Sequence, residues 1–194
     1  MIESKSLGAQ STLNNPQKLS NIVRWGVSHP QDSLRLSRII SYFQYSKILE
    51  LGTSIGINTM YLAKNSEAHI TTIEGNAQLA QVALDNFSQA KLTNINLVVS
   101  GIDQALEKMA DSFDMIYIDA NHTYTATLRY FEWAISHLNS NGCIVFDDIN
   151  WSPGMAQAWA KISKTKNYIA IENFDLGILI HREDCNNQSF VLKF

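Results

Sequence analysis

Short apolar runs alternate along the chain with segments of helical periodicity. The runs are Lys47–Leu51, His69–Ile73, Asn96–Val99, Phe113–Ile118 and Cys143–Phe146. The last two are apolar without alternation, as parallel strands buried on both faces are. Between the runs lie segments that read as helices: Ile57 to about Lys64, one carrying Leu79, Val82, Ala83 and Phe87, Asp103 to about Ala110, and Thr125 to about Leu138. The last carries Leu128, Phe131, Ala134, Ile135 and Leu138, and Asn139 to Gly142 then reads as a turn. This alternation predicts an α/β fold with a doubly wound, mostly parallel sheet. Asn76 is a predicted N-cap, and Ser152 is another, with Pro153 at the first helical position of a segment ending near Ile162. The pattern then changes. Asn167–Ile171, Leu176–His181 and Ser189–Phe194 read as strands with no helix between them, which predicts antiparallel pairing.

Ahead of the first run, residues 1–16 are polar and read as a loose arm, or one that orders on binding. Leu19, Ile22, Val23 and Trp25 suit a first helix, broken at His29-Pro30. Asp32 is a candidate N-cap for a second helix, with Leu36, Ile39, Ile40 and Phe43 on one face. Residues 17–44 then form a helical segment that lies across the sheet or covers the site, and 47–194 form the core.

At 194 residues the chain is expected to be a single domain. A net charge of −3 and no basic run argue against general attraction to nucleic acid or anionic membrane. Cys143 and Cys185 form no CxxC pair, so a zinc site or disulfide framework is not expected. The N-terminus has no apolar signal core and no run reaches membrane-helix length, so the expectation is a cytoplasmic protein.

Candidate chemistry gathers at the ends of the runs. Lys47 to Asn58, KILELGTSIGIN, reads as strand, glycine turn, helix, the shape of a nucleotide-cofactor site. Gly52 and Gly56 would let backbone approach a ligand, and Glu50 ends the strand with an acid. Glu74 lies 22 residues after Gly52, a spacing that suits hydrogen bonds to ribose hydroxyls, against the plainer reading of a solvated loop acid. The glycine spacing is G-x-x-x-G where the dinucleotide fingerprint is G-x-G-x-x-G, which weighs against an NAD-dependent oxidoreductase. A second group is FDMIYIDANH with CIVFDDINW. As sheet neighbours, the fourth and fifth strands would bring Asp119, Asp147 and Asp148 together, where a cation or proton must offset the repulsion. Carboxylate oxygens suit Mg²⁺, Ca²⁺ or Mn²⁺. Asp147 and Asp148 can share an ion only if the strand has ended, because adjacent strand residues face opposite ways. The other reading is that Asp119 helps hold the cofactor and Asp147 caps the next turn.

Taken with Glu50, Glu74 and the tail of strands, the pattern from Lys47 to Phe194 resembles the class I S-adenosylmethionine-dependent methyltransferases. The resemblance implies a Rossmann-like sheet of strand order 3-2-1-4-5-7-6, strand 7 antiparallel, with the last run as an extra strand. It implies that Glu50, Gly52, Thr53, Ser54, Gly56 and Asn58 surround the methionine part of the cofactor. Glu74 would hold the ribose, and Gly101, Ile102 and Asp103 would edge the adenine. The two acidic motifs resemble the divalent-metal-dependent O-methyltransferases of the catechol and sugar-modifying types. That implies Mg²⁺ or a similar ion on Asp119, Asp147 and Asp148, and His122 as the base. The catechol type has a lysine at that position, so His122 points away from a catechol. The implied partner is a small-molecule acceptor. A fold-retaining protein without catalysis is the alternative, since fold alone does not license activity. Among the aromatics, Trp133 and Trp159 read as packing, Trp151 and Tyr124 as either pocket wall or core, and His181 as structural. Oligomeric state, a homodimer included, is not legible in the sequence.

Overall fold

The computed structural model describes residues 29–64, 66–183, 185–186 and 188–193. The expected arm and first helix, with Leu19, Ile22, Val23 and Trp25, lie outside the described residues. The chain divides into two compact units, one ending at Met109 and one starting at Ala110.

The first unit opens with α1 (Pro30–Phe43). Here the expectation is corrected. His29-Pro30 starts this helix, and Asp32 sits inside its first turn. Proline has no N–H to leave unpaired at the first helical position, and His29 Nδ1 accepts from the N–H of Gln31 at 3.3 Å. Asp32 pairs instead with Arg35 at 2.5 Å. Leu36 and Ile40 are buried, and α1 packs against α2 (Ile57–Lys64). Strands β1 (Lys47–Leu51), β2 (His69–Glu74) and β3 (Ile95–Val99) follow, with α3 (Ala77–Gln89) and α4 (Ile102–Lys108) between and after them. All are parallel, in order 3-2-1, and Glu50 stands opposite Thr72. Asn76 caps α3, its side chain accepting from the N–H groups of Gln78 and Leu79.

The second unit holds β4 (Phe113–Ile118), α5 (Tyr124–Ser136), β5 (Leu138–Phe146) and α6 (Pro153–Ile162), then β6 (Tyr168–Glu172), β7 (Gly177–His181) and β8 (Gln188–Val191). Its strand order is 4-5-7-6-8. The two runs of order are those the resemblance implies, with β8 as the added strand. β4 and β5 are parallel, and β7 is antiparallel to both β5 and β6. β8 corrects the expectation of an all-antiparallel tail, because it pairs parallel to β6. β7 ends opposite Tyr168, where β6 begins. β8 begins at that same level, with Gln188 opposite Ile169, and so runs beside β6 in the same direction. The expected turn at 139–142 lies inside β5, where pairing jumps from Phe113–Leu138 to Met115–Cys143. Asn141 turns there with φ 62°, and Asn139 donates to the Asp114 carboxylate at 2.8 Å. Cys143 to Phe146 are buried and form the unit's centre with Met115 to Ile118. No helix among the described residues is long and apolar enough to cross a membrane.

Candidate functional site

In the first unit, β1 stops at Leu51 because the next residues leave the strand region. Gly52, Ser54 and Gly56 have φ of 104°, 51° and 81°. The turn is tied down at every step. The N–H groups of Gly52 and Thr53 both donate to the Ile73 carbonyl, at 3.1 and 3.2 Å. Asn86 of α3 donates to the Ile55 carbonyl at 2.9 Å. Glu74, half-buried at the end of β2, accepts from the Ser54 N–H and the Asn76 N–H, each at 2.8 Å. The Ser100 N–H donates to the Glu74 carbonyl at 3.0 Å, which brings the end of β3 to the same place. Gly101, Ile102 and Asp103 open α4 there, and a Cβ on Gly101 would meet nothing within 4 Å among the described residues.

Glu50 and Thr53 face inward. Glu50 is fully buried, and its carboxylate accepts from Asn58 at 2.7 Å, Thr59 at 2.5 Å and Thr72 at 2.7 Å. Thr53 and Thr72 share a 2.6 Å hydrogen bond. A buried carboxylate must be satisfied by donors. Thr59 and Thr72 are therefore part of the site's support, although no sequence motif points to them. The only signal is that an acid inside an apolar strand needs partners. Asn58 donates with its nitrogen, but its buried Oδ1 has no hydrogen-bond partner among the described residues. Gly56 is glycine both for its φ of 81° and for packing, since a Cβ there would run into the Phe87 ring.

In the second unit, Asp119 follows β4 directly. Asn121 turns the chain with φ 59°, its side chain donating to the Tyr130 hydroxyl, and Thr123 caps α5. That turn sets His122 Nε2 3.5 Å from Asp119 Oδ1 and 3.8 Å from Asp148 Oδ2. One atom from each of Asp119, His122 and Asp148 falls within 4.8 Å of the others.

Asp147 is turned elsewhere. Its N–H continues the ladder to the Ile118 carbonyl, and its buried carboxylate accepts from the Tyr117 hydroxyl and, at 3.0 Å, from the Asp148 N–H. Asp148 then takes φ 56°, which ends the strand and swings its carboxylate toward His122. The expected trio of aspartates is thus a group of two aspartates and a histidine, with Asp147 behind them.

Burial, then the Asp119 charge, pushes the Asp147 carboxyl up to about 7, against the Tyr117 hydrogen bond. Burial also raises Asp148, with His122 opposing and Asp119 and Asp175 adding to the rise. For His122, burial pulls the pKa down, but the hydrogen bond to Asp119 and the charges of Asp119, Asp148 and Asp147 outweigh it and leave a raised value. Two carboxylates and an imidazole suit a divalent cation, Mn²⁺ better than Mg²⁺ because of the nitrogen. Trp151 is 69% exposed, which rules out the core role, and its ring centroid lies 6.4 Å from that of His122.

Known proteins resemble this chain in sequence and in fold. A catechol O-methyltransferase from Niastella koreensis is 32% identical over 62% of this chain and 57% of its own length. A protein-L-isoaspartate O-methyltransferase from Thermosipho melanesiensis is 30% identical over 66% of this chain and 61% of its own. The chain thus spans somewhat over half the length of these curated relatives. A crystal structure of an O-methyltransferase from Bacillus cereus, in complex with S-adenosylhomocysteine, shares the fold with a TM-score of 0.71 at 20% identity, over 88% of this chain and 94% of that one. Residues 49–149, from inside β1 to just past Asp148, match the methyltransferase domain family. With that match covering more than half of its residues, the chain belongs to the methyltransferase domain family.

Proposed function

We propose that the chain transfers a methyl group from S-adenosyl-L-methionine to a hydroxyl oxygen of a small-molecule acceptor, with a divalent cation assisting. The observation that carries this reading is the convergence of Asp119, His122 and Asp148 within 4.8 Å in a chain of this family. The name of the catechol O-methyltransferase supports a hydroxyl acceptor, and the names of both relatives support transfer to oxygen.

The glycine turn suits the methyl donor. Asn58 Oδ1 is a buried acceptor that an amino group would satisfy, and Glu74 stands at the turn where ribose hydroxyls would donate. Glu50 and Thr53 keep Asn58 and the turn in place, and Gly101 leaves open space at the start of α4. Asp119 and Asp148 would hold the cation, whose positive charge lowers the pKa of a hydroxyl beside it. His122, close to both carboxylates, is placed to take the acceptor's proton, and the bound methyl donor would supply the methyl group, its S–CH3 bond breaking to leave S-adenosylhomocysteine. Orientation of the reactants contributes much of the acceleration.

The test is binding and turnover on the purified chain. S-Adenosylhomocysteine should raise the melting temperature and NAD should not. Methyl transfer to a catechol or sugar-diol acceptor should need Mg²⁺ or Mn²⁺ and stop in chelator. No shift with the methyl donor or its demethylated product would sink the donor assignment, and full turnover in chelator would sink the cation.

A further inference from the structure

We propose that Tyr117 and Asp147 are positioning residues for the cation site. A buried run of hydrogen bonds, from the Tyr117 hydroxyl through the Asp147 carboxylate to the Asp148 N–H, aims the Asp148 carboxylate before any ion arrives. This rests on the reading of Asp119, His122 and Asp148 as the residues that hold the cation.

Tyr117 is the polar exception at the end of β4. Met115, Ile116 and Ile118 around it are apolar and buried, and Tyr117 is itself fully buried. A phenylalanine would fill much the same space. The hydroxyl is the difference, and a buried hydroxyl needs a partner. The sheet supplies one. Tyr117 stands opposite Val145 in the parallel pairing of β4 with β5. Asp147 lies two residues beyond Val145, and its N–H continues the ladder to the Ile118 carbonyl. Its side chain therefore leaves the sheet on the same face as that of Tyr117. There the Tyr117 hydroxyl donates to Asp147 Oδ2.

The other oxygen does the aiming. Asp147 Oδ1 accepts from the Asp148 N–H at 3.0 Å. Asp148 has φ 56°, a left-handed conformation that is costly for a residue with a side chain. Had the strand continued, Asp148 would point to the face opposite Asp147. A hydrogen bond to a charged acceptor is worth about as much as one left-handed residue costs. The Asp147 carboxylate can thus hold the turn, and the Trp151 N–H closes it by donating to the Asp148 carbonyl at 2.9 Å. The turn leaves Asp148 Oδ2 3.8 Å from His122 Nε2. Asp147 stays out of the group that Asp119, His122 and Asp148 form. Its two oxygens are engaged in holding a ligand residue, a service that metal sites ordinarily draw from the groups behind their ligands.

The test is Mn²⁺ binding by the full chain, read from the electron paramagnetic resonance signal of the free ion, with no methyl donor or acceptor present. Tyr117→Phe alters no charge. It should weaken Mn²⁺ binding about ten- to a hundredfold, the effect of losing a group that orients a metal ligand. Its dissociation constant for S-adenosylhomocysteine should stay at the parent's value. Replacing Tyr117 with para-aminophenylalanine restores a donor at the same place and should recover most of the lost Mn²⁺ affinity. Hydrogen exchange gives a reading that needs no ion. The Asp148 amide should be protected in the metal-free parent and lose protection in Tyr117→Phe.

Mn²⁺ binding by Tyr117→Phe as tight as the parent's, or tighter, overturns the proposal, since tighter binding would make Tyr117 a restraint that keeps Asp147 off the ion. A matching loss of S-adenosylhomocysteine binding overturns it too, as a sign of general loosening. So does a para-aminophenylalanine variant that binds Mn²⁺ no better than Tyr117→Phe. If Tyr117→Phe does not fold, the parent decides. An Asp148 amide that exchanges at the unstructured rate without Mn²⁺ refutes the preset turn, and a protected one supports it. A parent that takes up S-adenosylhomocysteine but no Mn²⁺ removes the cation from the proposed function, while the Asp148 amide still judges the hold of Tyr117 and Asp147.

Discussion

His122 faces two carboxylates through one atom, Nε2. That atom can serve a cation or take a proton, but not both at once. His122→Ala separates the roles. As a base, its loss should lower kcat by about 10²- to 10⁴-fold and leave the Mn²⁺ dissociation constant unchanged. A Mn²⁺ affinity that falls with the same substitution makes His122 a ligand and moves the base elsewhere. Asp147 gives a second expectation, for the chain kept in chelator. Its folded pKa of about 7 lies above the ordinary 3.8. The folded state therefore holds this proton where the unfolded state has lost it, so the contribution of Asp147 to stability is fully present below about pH 4 and is lost as pH rises toward 7. The loss is on the order of a few kcal/mol. Asp147→Asn keeps an acceptor for the Tyr117 hydroxyl and removes the charge, so its urea midpoint should change less between pH 5 and 8. An unchanged slope would mean that another group carries the dependence.

At the scale of elements, two glycines in the second unit have opposite prospects. A Cβ on Gly142 would lie 2.7 Å from the Asp114 carbonyl and 2.9 Å from that of Asn139, both backbone atoms inside the β5 irregularity. Gly142→Ala should therefore destabilise by about 1–3 kcal/mol, the cost of overpacking. A Cβ on Gly154, in the first turn of α6, meets Tyr124 at an ordinary 3.5 Å. Gly154→Ala should stabilise by about 0.5–1 kcal/mol, because the unfolded chain loses freedom. Chemical denaturation of both variants checks the pair, and equal effects would contradict the contact geometry. These elements also show what the sequence makes legible. Asn76, Ser152 and Pro153 act locally, so their caps can be read from neighbours alone. The buried runs of β4 and β5 carry their own signature. His29-Pro30 was ambiguous because proline both stops one helix and starts the next. The β5 irregularity depends on Asp114, 28 residues before Gly142, and the direction of β8 depends on where β7 ends. In the candidate site, the glycine turn and the acids at strand ends were visible as residue types. That Asp148 and not Asp147 faces His122 follows from one left-handed residue, and no pattern of apolar positions encodes that.

Across the whole molecule, the residues proposed to hold the methyl donor and those proposed to hold the cation and acceptor separate along the chain. Glu50 to Asn58, Glu74 and Gly101 to Asp103 all belong to the first unit, while Asp119, His122 and Asp148 all belong to the second. A ligand that binds only the folded state stabilises what it touches, by about 2.7 kcal/mol at a hundredfold excess over its dissociation constant. Hydrogen exchange resolves where that stabilisation falls, because local openings differ in free energy along a structure. S-Adenosylhomocysteine alone should slow exchange at the amides of Gly52, Thr53, Ser54 and Gly56 and at the start of α4. Mn²⁺ alone should slow it at residues 119–123 and 147–151. The Ser54 amide is the most telling of the first set, since it already donates to Glu74. Glu74→Ala should speed its exchange without ligand and weaken protection with it, and should leave the Mn²⁺ pattern untouched. If S-adenosylhomocysteine protected only the second unit, or Mn²⁺ only the first, the division of labour between glycine turn and acidic cluster would be wrong, whatever turnover is measured.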